Sequence, residues 1–399
     1  MLAGKTILDL TWVLGGPFAG QLLAQLGAEV IKIEPPSGDQ ARTIPPFTQS
    51  GDSVFFLSVN RGKRSVAIDL KSKDGLAAFY GLVRTADAVI YGYAPDVPAR
   101  LGIDFESLKA VNPQIVVAQI VGLHDEGEYA AAPAFDLVLQ AMAGVMSITG
   151  DEHGRPTRVG YQVADLAGGL YLALATVSAM LKAELSGQGD RIQVSLFDAQ
   201  LAMLTWQAQN YLSFGTLPKA LGARHATIAP SDAYPTSDGR YIAVAPTGQA
   251  FWRKFCAAIG RGDLIDDPRF AEPTSRIQHI DELTAQLSST MLTKTADEWE
   301  SLLVEARVPA SVVRRVDEAL AHPIVTARKM IEMVSTREGS HEARLLGNPF
   351  KYRGAQPLDY PPSLGEDTSA VLAERSGCTE EDLARMEASG SIHSVCKAI

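Results

Sequence analysis

Asp165 stands in the run Tyr161-Gln162-Val163-Ala164-Asp165-Leu166-Ala167-Gly168-Gly169, at the mouth of the most apolar stretch of the chain. A carboxylate there can do two kinds of chemistry. As an N-cap, its oxygens would accept the unpaired first-turn N–H groups of the helix that follows. The same donors and the helix dipole favour its ionised form, which keeps a nucleophile ready in apolar surroundings, while the two glycines behind it would leave room for a bulky acyl ligand. The residue types accommodate both roles. A second feature, Asn60-Arg61-Gly62-Lys63-Arg64, gathers three cations in an otherwise acidic protein. It reads either as a solvated loop or as a loop that holds phosphates by charge-assisted hydrogen bonds. Arg100, two residues before Gly102, is a further isolated cation near the end of a strand.

Other chemistries are poorly served. Gly15, Gly16 and Gly20 after a first strand, with Glu34 ending a second, approach a dinucleotide-binding fingerprint. Counted from Gly15, however, the second glycine of G-x-G-x-x-G falls on Pro17, which restricts the backbone and lacks an N–H. A nicotinamide-dependent dehydrogenase is therefore a remote reading, and close packing of the turn is the simpler one. The seven histidines are scattered without ligand spacing, so no metal site is expected. Neither a G-x-S-x-G elbow nor a Walker loop occurs. Three cysteines, Cys256, Cys378 and Cys396, form no disulfide framework and point to a reducing compartment.

The elements that must carry these residues alternate between strand and helix. Thr6 to Val13 suits a strand, Gly15-Gly16-Pro17 a turn, Phe18 to Leu26 a helix and Glu29 to Glu34 a second strand, which makes a βαβ unit with parallel strands. The alternation continues through Ser65–Leu70, Lys73–Thr85, Ala88–Tyr91, Phe105–Val111 and Ile115–Ile120, so the fold class is α/β. From Asp136 to Leu185 the pattern is helical, Asp190–Leu196 returns to a strand, and Asp198–Phe214 reads as one long helix. A boundary is expected near residues 215–225. Beyond it, a hairpin around Ser237-Asp238-Gly239 and two or three helices up to Glu305 predict a small second domain.

With 399 residues, 46% of them apolar, the chain has ample material for a large buried core, and a net charge of −10 argues against a broad nucleic-acid surface. The longest apolar run, Leu166 to Leu181, has 16 residues and falls short of the roughly 20 that a membrane span needs, so it is expected to be a buried helix. The N-terminus shows no signal-peptide pattern, and a cytoplasmic, membrane-free protein is expected.

Taken in order, several segments resemble the family III CoA-transferases, the group that includes formyl-CoA transferase, carnitine CoA-transferase and α-methylacyl-CoA racemase. They are ILDLTWVLGGPFAGQLLAQLGAEVIKIEPPSGD, NRGKRSVAIDLKSKDG, ARLGIDFESLKAVNPQIVVAQIVG, FDLVLQAMAGVMSITG, VADLAGG, DRIQVSLFDA, YPTSDGRYIAVA, VPASVV and PPSLGEDTSAVL. The resemblance implies a Rossmann-like large domain formed by both chain ends (1–215 and 321–399), a smaller inserted α/β domain (225–320), and an interlinked homodimer. It implies that Asp165 is the nucleophile. It also implies CoA contacts at Val13, Leu14 and Gly15, at Ile68, Asp69, Leu70 and Lys71, at Gly92, Tyr93 and Ala94, at Arg100, and at Pro133, Ala134, Phe135 and Asp136. No prosthetic group is expected; acyl-CoA and a small carboxylic acid are the substrates.

Four departures qualify the resemblance. Pro35 replaces the adenine-stacking Arg of formyl-CoA transferase, Leu14 replaces its glutamine, and Gly222-Ala223-Arg224-His225 lacks its glycine run, which argues against oxalate and formate. Phe135 replaces the catalytic His of the racemases, so the alternative activity, racemisation or epimerisation of an α-methylacyl-CoA, lacks its second acid–base group. A cation at Arg224, with His225 and Thr227, would suit a C4 or C5 dicarboxylic acceptor.

Overall fold

A seven-stranded sheet organises the larger part of the chain in a computed structural model that describes residues 1–130 and 132–395. Ala131 and Cys396 lie outside the described residues. Six strands are parallel: β1 (Thr6–Leu10), β2 (Glu29–Glu34), β3 (Lys63–Ile68), β4 (Ala88–Tyr91), β5 (Val116–Val121) and β6 (Arg191–Ser195), in the spatial order 3-2-1-4-5-6. A two-residue strand, Ile392–His393, closes the β3 edge in the antiparallel sense. Strand order reverses between β1 and β4, and at such a switch the loops leaving the carboxyl ends part to opposite faces and open a crevice.

Period-two alternation sorts the strand side chains onto two cores. Leu8, Leu10, Ile31, Ile33, Val89 and Tyr91 face the side covered by the helix Lys73–Val83. Ile7, Val30, Ala88, Ile90, Val116 and Ala118 face the side covered by the first helix, Gly15–Gln25, and the long helix, Val163–Ser186. The register follows, with Leu8 opposite both Ile31 and Val89. Ten of the eleven residues of the first helix are buried, which demands small side chains wherever the long helix crosses it.

Several boundaries differ from the sequence expectation. The first helix begins at Gly15, so Gly15-Gly16-Pro17 is its first turn, where a missing proline N–H would be unsatisfied in any case. Asp198–Phe214 is two helices, Leu196–Met203 and Trp206–Phe214, separated at Thr205, whose φ of 43° lies outside helical space. The long helix has 24 residues, because Val163–Asp165 and Lys182–Ser186 extend the apolar run at both ends. By length and composition it could cross a membrane, yet half of its most apolar window is buried inside the protein.

By contacts the chain divides into two compact units, one of residues 1–145, 158–216 and 324–399, the other of 146–157 and 217–323. The segment 146–157, assigned from sequence to the large domain, therefore belongs to the smaller unit. That unit pairs Asp232–Pro235 with Tyr241–Val244 and adds Ala310–Val312, all antiparallel. Its core is built on Trp252, Phe255, Leu283, Leu287 and Trp299.

Candidate active site

Two helix N-termini meet at Asp165. The long helix has Gln162 as its N-cap residue, so Asp165 is its third residue and makes no capping hydrogen bond. This corrects the cap expectation. The capping carboxylate is Asp136, at the start of the helix Asp136–Met142: its Oδ1 accepts the Ala164 N–H at 2.9 Å, and its Oδ2 accepts from Gln140 Nε2 at 2.7 Å. Gln140 in turn accepts the Val159 N–H at 2.9 Å, which ties down the approach to the long helix. A cap supplied from elsewhere in the chain frees Asp165 for chemistry.

The electrostatics of Asp165 also differ from the expectation. Burial, followed by the negative charge of Asp136, pushes its carboxyl up to about 6, and no hydrogen bond lowers it again. Burial and the Asp136 charge outweigh the favourable field of the helix start, and the Ala164 N–H is taken by Asp136 rather than by Asp165. The outcome is a carboxylate that is ionised at neutral pH but more basic than an exposed aspartate.

The glycines around Asp165 do not open a ligand space. A Cβ on Gly15 would stand 2.9 Å from the Asp165 carbonyl oxygen, and one on Gly169 would stand 2.5 Å from the Gly15 carbonyl oxygen. One on Gly168 would meet the Leu196 side chain at 2.2 Å. These positions are glycine so that the first helix, the long helix and Leu196 can approach, which places the Val13-Leu14-Gly15 turn directly against the Asp165 backbone.

A crevice of about 330 Å³ opens at the carboxyl ends of β2, β3 and β4. Ile68, Asp69, Leu70, Lys71, Tyr93 and Arg100 all line it. So does Trp12, which the sequence reading did not single out; its ring meets that of Tyr93 edge-on, with centroids 6.4 Å apart. The signal was present as an aromatic two residues past the end of β1. Pro35 lies on the same wall. Arg100 is 69% exposed and, among the described residues, is paired with Asp96 at 3.3 Å, a surface pair that a stronger anion can displace. Gly92 and Ala94 flank Tyr93 without lining the crevice, and Pro133, Ala134 and Phe135 lie on the approach to Asp136, with Phe135 largely exposed.

The cationic loop is neither solvated nor open to phosphate. Arg61, 2% exposed, donates to Glu332 at 2.7 Å and to the Leu358 carbonyl at 2.8 Å. Lys63 is paired with Asp9, and Arg64 with Glu29, Asp367 and Glu374. Internal carboxylates outcompete any external anion because they are tethered and already desolvated. Glu34 is likewise saturated, accepting from both Arg42 nitrogens, Ser65 Oγ and the Asp39 N–H, and sits at about 2 despite its burial. Nothing is left on it for a ribose hydroxyl, which counts further against a dinucleotide. In the smaller unit, Arg224 is held by Asp281 at 3.0 Å and Asp232 at 3.6 Å, so its charge is compensated there.

A parallel α/β sheet with a half-buried carboxylate at a helix start and an aromatic, cation-rimmed crevice at its switch point places the chain among the open α/β folds, whose ligand crevices lie at the carboxyl ends of the strands. Comparison with known proteins narrows the class. The model of CoA-transferase family III matches residues 2–368, and the chain belongs to this family. It is 37% identical over 387 residues to a succinate–glutarate CoA-transferase of Agrobacterium fabrum, covering 94% of this chain and 95% of that protein. It is 36% identical over 377 residues to an acetyl-CoA:oxalate CoA-transferase of Acetobacter aceti, covering 93% and 95%. The crystal structure of a CAIB/BAIF family protein from Brucella suis superposes with a TM-score of 0.82 at 34% identity, covering 94% of this chain and 98% of that one. The protein is a family III CoA-transferase.

Proposed function

We propose that the enzyme transfers CoA from an acyl-CoA to a small dicarboxylic acid through covalent intermediates on Asp165. The observation that carries this is the state of Asp165: half-buried, raised to about 6 and without a hydrogen-bond donor on its carboxylate. An ionised Asp165 attacks the thioester carbonyl and the CoA thiolate leaves, giving a mixed anhydride. The thiolate then attacks the aspartyl carbonyl, releasing the donor acid and forming an aspartyl-CoA thioester. The acceptor carboxylate attacks that thioester, the thiolate returns to the acceptor's acyl carbon, and Asp165 is regenerated as a carboxylate. Each step exchanges one acyl bond for another, so no electrons enter or leave.

In this reading the crevice takes the nucleotide half of CoA, with Trp12 and Tyr93 offering ring faces to the base and Lys71 and Arg100 offering charge to the phosphates. Trp12 then does the stacking that Pro35 cannot. Dicarboxylic acceptors are supported by the names of relatives, which include succinate, glutarate, mesaconate and oxalate; the oxalate relative keeps that acid in the panel despite Leu14. The spatial order 3-2-1-4-5-6 supports the Rossmann-like reading of the large domain, and a cytoplasmic homodimer completes the proposal.

The test is a panel of acyl-CoA donors against mono- and dicarboxylic acids with mass-spectrometric identification of the CoA esters. Transfer to a dicarboxylate, with hydroxylamine trapping a hydroxamate on Asp165 during turnover, is the expected result. Incorporation of solvent deuterium at the α-carbon without transfer would point to the racemase instead.

A further inference from the structure

Beneath the turn that abuts Asp165 lie four buried charges. Lys32 Nζ is 2.8 Å from Asp39 Oδ2, with side chains 0% and 1% exposed; Lys63 Nζ is 2.8 Å from Asp9 Oδ2, both fully buried. Apolar side chains would fill these sites with less desolvation. What they would not do is hold the backbone of the turn. Asp9 Oδ1 accepts the Thr11 N–H at 2.9 Å, Lys32 donates to the Thr11 carbonyl at 3.0 Å, and Asp39 Oδ1 accepts the Val13 N–H at 3.3 Å. Lys63 donates to the Pro17 carbonyl at 2.8 Å, and Gly20 stands where any Cβ would strike Asp9 Oδ2. Between these anchors Val13 adopts φ 64°, a left-handed conformation that a β-branched residue resists. The next element, Gly15, touches the backbone of Asp165.

We infer that the Lys32–Asp39 and Lys63–Asp9 pairs are positioning groups for CoA transfer, holding the strained Thr11–Gly15 turn in the one conformation that seats Asp165 against the thioester. This rests on Asp165 being the nucleophile. Release of the turn would let Val13 relax to negative φ and shift Gly15 against the nucleophile, and displacements of about an ångström cost on the order of a hundredfold in rate.

The experiment compares intact enzyme with Asp39→Asn and with the charge-neutral pair Lys32→Met/Asp39→Asn, which leaves no unpaired buried charge if the single variant fails to fold. The expected result is a kcat lowered about tenfold or more, with a smaller rise in KM for acyl-CoA because Trp12, inside the released turn, lines the crevice. In the same background Val13→Gly should recover several-fold of the lost rate, because glycine accepts the left-handed conformation freely. A kcat within about twofold of wild type, or a loss that Val13→Gly does not relieve, would overturn the inference. Amide exchange on the wild-type enzyme gives a reading independent of any variant: a Val13 amide protected like those of β1 is expected, and exchange as fast as in exposed loops would also overturn it. Asp165→Ala, run in parallel, separates the two readings. Activity in Asp165→Ala would remove the proposed mechanism itself, whereas an inactive Asp165→Ala beside a fully active Asp39→Asn would remove only the positioning role.

Discussion

Asp165 is more basic than an ordinary aspartate because it is partly withdrawn from water and faces Asp136. The proposed attack requires the carboxylate, so kcat/KM should rise with pH through about 6 and level off above about pH 7. Asp136→Asn removes the second cause but not the burial; the acid limb of a pH–rate profile should move to lower pH while some elevation persists. The same shift has a stability sign. A folded-state value raised above the ordinary 3.8 means stability is fullest below about pH 4 and is lost as pH rises past about 6. Asp165→Asn is therefore expected to be inactive yet to melt a few degrees higher at pH 8, by about 1–3 kcal/mol, with the gain gone at pH 4. Differential scanning fluorimetry at the two pH values checks it. At the crevice rim, Arg100→Ala should raise KM for acyl-CoA about tenfold with kcat little changed, the loss of one charge-assisted contact. An unaltered KM would return Arg100 to its surface pair with Asp96.

At the scale of elements, the crossing of the first and long helices decides where Asp165 sits. Gly169→Ala drives a methyl to 2.5 Å from a backbone carbonyl, whereas Gly168→Ala drives one to 2.2 Å from the end of the Leu196 side chain. By distance alone the Gly168 clash is the more severe, yet a side-chain tip can rotate away and a helix backbone cannot. Gly169→Ala should thus destabilise by about 1–3 kcal/mol and lower kcat at least tenfold, with Gly168→Ala clearly milder in both. Equal effects in denaturant unfolding and in turnover would mean that the crossing tolerates movement. The cap from Asp136 belongs to this level too, because it lets a helix start carry a carboxylate that is not consumed in capping.

For the whole molecule, the unexplained surface is apolar. Leu170, Leu174, Leu181 and Leu185 lie along one face of the long helix, exposed by 49%, 65%, 59% and 80%. Trp206, Tyr211, Leu212 and Phe214 on the Trp206–Phe214 helix are exposed as well. An amount of apolar surface well beyond scattered single residues needs a cover in water, and a second copy of the chain is the cover proposed. Mass photometry at nanomolar concentration should find the dimer and no folded monomer. A stable monomer would require another explanation for this face.

Features that local spacing controls were legible before any fold was known. The β-prone runs Glu29–Glu34 and Ala88–Tyr91 placed β2 and β4 to the residue, the alternation with helices set the α/β class, and the ordered segments set the family. Val163 to Gly169 marked Asp165, the carboxylate proposed to react. Tertiary structure decided what each charge faces. Arg61, Lys63 and Arg64 read either as a solvated loop or as one open to phosphate until their partners Glu332, Asp9 and Glu374 arrive from residues 271, 54 and 310 positions away. Asp165 read as a cap until Asp136, 28 positions before Ala164, took the donor. The glycines at 168 and 169 read as open space until Leu196 and Gly15 filled it. In each case the side chain's identity is local, whereas its desolvation and its ionic neighbours are set by segments that meet only when the sheet forms, and those two quantities fix whether a carboxylate or an ammonium is structural or free to react.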